Sequence, residues 1–103
     1  MGSTLKGSQR KYLRGLAHAL KPVVLVGHKG ATGTVAGALE EALAQHELVK
    51  IKFNDGKEKT EKAKMIADLQ QSTGAELVGT LGHTAIFYRL HPDPEKRKIE
   101  LPE

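Results

Sequence analysis

Val23-Val24-Leu25-Val26 runs directly into Gly27-His28-Lys29-Gly30, and then into Ala31-Thr32 and a stretch of helical period. An uninterrupted apolar run of this length, bounded by proline and glycine, reads as a short strand. Without alternation, both of its faces are expected to be buried, as in a central strand. Thr32 is placed to cap the helix that follows. The order strand, Gly-x-x-Gly, helix sets a cationic turn against the free N–H groups of a helix start, where a phosphate can be held. Two glycines permit positive φ and let a ligand backbone come close. A strand-to-helix turn that simply needs glycines is the other reading of the same loop.

Charge favours the ligand. Residues 1–39 contain Lys6, Arg10, Lys11, Arg14, Lys21 and Lys29 and no Asp or Glu. Residues 40–103 carry ten basic and twelve acidic groups, so the net charge of +4 understates the asymmetry. A basic segment of this kind predicts a positive face suited to a nucleic-acid backbone. Arg10, Lys11 and Arg14 fall on the outer side of a first helix, and Lys21 follows its end. Solubilising faces usually mix signs, and this one does not. Lys50 and Lys52 share a face of a later strand. They extend the basic surface if that face adjoins the Gly-x-x-Gly loop, and are merely solvated otherwise.

Other chemistries find little support. The chain has no cysteine, which removes disulfides, thiolate metal sites and thiol catalysis. The glycine spacing fits neither a Walker loop nor a dinucleotide fingerprint. His18, His28, His46, His83 and His91 are scattered, with no pair at metal-ligand spacing on one helix, so no metal or cofactor is expected. His28 in the loop is the one histidine placed to meet a nucleotide. No nucleophile motif is present, and the protein is read as a non-enzyme without a small-molecule substrate. Tyr12, Phe53, Phe87 and Tyr88 are too few and too dispersed for an aromatic base-stacking platform. Contact is therefore expected mostly at the backbone. There is no apolar run of signal-peptide or membrane-span length, and a cytoplasmic protein without membrane partners is expected.

Periodicity supplies the remaining elements. Tyr12, Leu13, Leu16, Ala17 and Leu20 predict a first helix over Ser8–Leu20, capped by Ser8 and stopped by Lys21-Pro22. A second helix is expected over Thr34–Gln45, with Val35, Leu39, Ala42, Leu43 and His46 facing inward. Alternation predicts a strand over Leu48–Phe53. The Asn54-Asp55-Gly56 turn leads to a third helix over Lys57–Ser72, with Gly74 just past its end. Strands near Glu76–Thr80 and Thr84–Arg89 are joined by the Leu81-Gly82-His83 hairpin. The order α-β-α-β-α-β-β favours a compact α/β domain: a four-stranded mixed sheet with three helices, spanning residues 1–103. Residues 91–103, with three prolines and Lys96-Arg97-Lys98, are expected to be extended and partly mobile.

Leu13-Arg14-Gly15-Leu16-Ala17-His18, then Leu20-Lys21-Pro22-Val23-Val24-Leu25-Val26-Gly27 with Gly30, resembles the signature of the YhbY-like CRM domain family. His46-Glu47-Leu48-Val49-Lys50-Ile51-Lys52 and Arg97-Lys98-Ile99-Glu100-Leu101-Pro102 continue the resemblance across nearly the whole chain, in the free-standing bacterial form. It implies a fold similar to the C-terminal domain of translation initiation factor three. It also implies a KH-like loop at Gly27, His28, Lys29 and Gly30 that clamps RNA backbone. The implied partner is ribosomal RNA in a precursor of the large ribosomal subunit. A ribosome-associated adaptor that binds protein, its basic face incidental, is the alternative.

Overall fold

A computed structural model describes residues 5–27, 33–54 and 58–102. The elements run α1 (Gly7–Ala17), β1 (Val24–Val26), α2 (Gly33–His46), β2 (Leu48–Phe53), α3 (Lys59–Thr73), β3 (Glu76–Leu81) and β4 (Thr84–Tyr88). A short 3-10 turn follows at Pro94–Lys96. Three helices and a four-stranded mixed sheet appear in the expected order. No helix among the described residues is long and apolar enough to cross a membrane.

The strands lie in the order β1-β2-β4-β3, with β1 parallel to β2 and the other pairs antiparallel. One sheet face carries Val24, Val26, Val49, Ile51, Phe53, Ala85 and Phe87 beneath Leu39 and Leu43 of α2 and Met65, Ile66 and Leu69 of α3. The opposite face carries Leu48, Val78, Ile86 and Tyr88 beneath Leu13 and Ala17 of α1. Leu5, Ile99 and Leu101 flank that second cluster. The result is a three-layer sandwich whose second face is covered by a single helix and by the C-terminal segment.

Four expectations change. β1 is an edge strand, so its outer face lacks a layer above it, and Leu25 is 71% exposed. An unbroken apolar run therefore did not signal a central position. α1 stops at Ala17, before Leu20, and of its stripe only Leu13 and Ala17 are buried. Lys6, rather than Ser8, precedes its first turn, where the Gln9 side chain accepts the Lys6 N–H at 2.9 Å. A lysine ammonium cannot accept in return, so only half of a capping box forms. His46 is likewise exposed at the end of α2 instead of facing inward. The Thr32 cap and the Asp55-Gly56 turn lie outside the described residues.

Two helices end by the same device. Gly74 closes α3 at φ 74°, its N–H donating to the Gln70 carbonyl at 2.8 Å. Glu47 fills the equivalent slot after α2 at φ 63°, its N–H donating to Leu43 at 2.9 Å. A Cβ in that region costs about 1–2 kcal/mol. The Glu47 side chain offsets this cost. It is 1% exposed, and its carboxylate accepts the backbone N–H groups of His91 (2.9 Å), Lys98 (2.6 Å) and Ile99 (3.1 Å). The carboxylate thus moors the C-terminal segment to the α2–β2 junction. Gln9 holds the same segment at its far end, through the Pro102 carbonyl at 2.9 Å.

Candidate nucleic-acid interface

Register decides where the strand lysines point. Leu25, Lys52, Thr84 and Leu81 are lateral neighbours across the four strands, and Lys50 pairs with Ile86. Ile86 packs beneath α1, so Lys50 and Lys52 project from the face that α1 covers. The cations of α1 and those of β2 therefore share one side of the sheet.

On that side the cations fall into two groups. Lys52 lines a cleft of about 350 Å³ together with Leu25, Val26, Gly27, Phe53 and Asn54, at the C-terminal ends of the parallel strands. Ligands of open α/β sheets bind in this kind of position. Lys52 thus adjoins the start of the Gly-x-x-Gly loop, the condition set above for reading it as part of the basic surface. Lys50 and Lys21 meet at a second recess, of about 410 Å³, between the end of α1 and β1. These two recesses follow each other along β2, with Lys50 and Lys52 about 7 Å apart along the strand.

Arg10 and Arg14 lean the other way. Arg10 Nη1 donates to the Leu77 carbonyl at 2.6 Å. The Arg14 stem lies over Gly79, where an added Cβ would stand 3.0 Å from Arg14 Cδ. Both arginines therefore sit above β3, two strands and roughly 10 Å from β2. Lys11 is exposed on α1. His28, Lys29 and Gly30 lie outside the described residues.

Gly27 is exposed, and a Cβ there would meet nothing within 4 Å. Positive φ, which the loop glycines permit, is not adopted at Gly27: among the described glycines only Gly74 and Gly82 have it. Neither strain nor internal packing requires glycine at position 27.

Sequence reasoning missed two features. Glu47 is one. The signal available was that α2 and β2 abut with a single residue between them, which forces an unusual φ there. The other is Arg89, whose guanidinium grips Glu40 through both carboxylate oxygens and donates to the Thr73 carbonyl at 2.8 Å. The Arg89 hydrogen bonds hold the Glu40 carboxyl below its ordinary range. Burial, and next the negative charge of Glu47, push the Tyr88 phenol up. Among the described residues, no three His, Asp or Glu side chains group as metal ligands would.

A family model described as the CRS1 / YhbY (CRM) domain matches residues 5–89. An RNA-binding protein of Haemophilus influenzae is 40% identical over 100 residues, covering 97% of each chain. The Bacillus subtilis protein named "Probable RNA-binding protein YqeI" is 33% identical over 98 residues, covering 95% of this chain and 99% of its own. The solution structure of SAV1595 from Staphylococcus aureus, a candidate RNA-binding protein, superposes with a TM-score of 0.79 at 28% identity. That match covers 96% of this chain and all of the other.

Proposed function

The chain belongs to the CRS1 / YhbY (CRM) domain family, and on that premise we propose that it binds structured RNA through one basic face. The Gly27–Gly30 loop and Lys52 take the phosphates at the strand ends. Lys21 and Lys50 continue the path along β2, and Arg10, Lys11 and Arg14 supply the flanking field. The RNA is ribosomal, in a precursor of the large subunit, as the family resemblance implies. The role is non-catalytic, cytoplasmic and without cofactor.

The observation that carries this reading is the shared side of the sheet. Lys21 from the α1–β1 connection and Lys50 and Lys52 from β2 line the two recesses there, whose lining contains no carboxylate, while Arg10 and Arg14 lie on the same side above β3. An exposed Gly27 backbone with space around it fits close approach by a sugar-phosphate chain. The relatives named as RNA-binding proteins, matched over nearly their full lengths, add independent support.

The test is an electrophoretic mobility shift on protein-free large-subunit ribosomal RNA. Lys29→Glu combined with Arg14→Glu should weaken binding at least tenfold while the circular dichroism spectrum stays unchanged. Unaltered affinity would reject this surface. The exposed Leu25 and Leu81 favour a second reading, the protein-binding adaptor. An adaptor would show little affinity for the naked RNA even as wild type.

A further inference from the structure

We propose that the recess beside Lys21 and Lys50 receives a single unpaired nucleobase, so that the basic face selects RNA with a bulged or unstacked nucleotide. This rests on the RNA-binding reading and goes beyond it, since backbone contact alone does not distinguish paired from unpaired RNA. Leu16, Leu20, Val23 and Ile99 line it, together with the exposed Lys21 and the partly exposed Lys50. A volume of about 410 Å³ is at the small end for ligand sites and suits one flat ring system.

Charge selects the occupant. A base offers two apolar faces to aliphatic walls and brings a phosphate on either side for Lys21 and Lys50. An apolar protein side chain would bring no anion to the two lysines. His46, also in the lining, offers a ring N–H and a ring acceptor to a base edge. A base paired inside a duplex cannot enter. The recess also follows the cleft at Gly27 along β2, because Lys50 and Lys52 lie two residues apart on the same face of that strand. A strand crossing Gly27 and Lys52 therefore arrives at the recess within about two residues of β2.

The experiment compares three RNAs by fluorescence anisotropy: a continuous duplex, the same duplex with one bulged adenosine, and the same bulge made abasic. Wild type should bind the adenosine bulge about tenfold more tightly than either of the others, within the range of a stacked base. A bulged 2-aminopurine should change its fluorescence on binding. Leu20→Ser and Val23→Ser should reduce affinity for the adenosine bulge to that for the abasic one. These residues are 38% and 57% exposed, so serine does not empty the core, and thermal melts verify the fold. Equal affinity for adenosine and abasic bulges would overturn the inference. Failure to bind any of the three would overturn the RNA-binding reading itself, and this inference with it.

Discussion

Replacing Glu47 tests how the C-terminal segment is held. The carboxylate accepts three backbone N–H groups. If that segment stayed docked around an alanine, three donors would be left unsatisfied, at about 1–3 kcal/mol each. Release into water is the cheaper response, because it hydrates the donors and gives up the packing of Ile99 and Leu101 and the Gln9–Pro102 hydrogen bond, which water replaces. Both side chains are partly buried, and exposing them costs about 1–2 kcal/mol each. The lower-cost route wins, so Glu47→Ala should destabilise the domain by about 3 kcal/mol. Glu47→Gln keeps one carbonyl oxygen for Lys98 and Ile99 but turns an amide toward His91, and should cost about half as much. Glu47→Gly loses all three contacts yet removes the left-handed Cβ penalty, so it should be about 1 kcal/mol milder than alanine. Equilibrium urea unfolding measures the series, and amide exchange at Lys98 and Ile99 should quicken in each variant. A loss under about 0.5 kcal/mol for alanine, or a glycine variant no milder than alanine, would refute the account.

Removing the Lys21, Lys50 and Lys52 charges together as glutamines should flatten the slope of log K against log salt by about 2 to 3. An unchanged slope would mean that these lysines meet no phosphate. Glu40→Gln should cost about 0.5–1 kcal/mol near neutral pH, since the pair with Arg89 is half exposed. The folded Glu40 carboxyl lies below its ordinary value of 4.5, so its contribution is complete above that value and fades as pH falls through the folded one. The gap between wild type and variant should therefore close in acid, which urea titrations at several pH values can follow. Gly74→Ala should destabilise by about 1 kcal/mol through φ alone, because a Cβ there meets nothing within 4 Å. A neutral thermal melt would contradict that cause.

Alternation made β2 legible to the residue, and with it the shared direction of Lys50 and Lys52. What it left open was which face of the sheet α1 would cover, and that depends on strand order. The same gap misplaced β1. Val23-Val24-Leu25-Val26 is apolar whether or not a layer lies above it, and only the sheet order reveals the open side. Helical spacing marks the apolar stripe of Tyr12, Leu16 and Leu20 but not what covers it, and all three are exposed. Glu47 was beyond local pattern, since the three amides it accepts stand 44, 51 and 52 residues further along the chain.

Leu5 and Leu101 flank one cluster, and Gln9 reaches the carbonyl of Pro102. The first helix thus completes its seat only with residues synthesised some ninety positions later. During translation, both layers wait for β4, whose Ala85 and Phe87 complete one face and whose Ile86 and Tyr88 complete the other. The nascent domain should then pass through a stage in which α1 is seated but the flank that Ile99 and Leu101 cover is still open, a window in which chaperones could engage it.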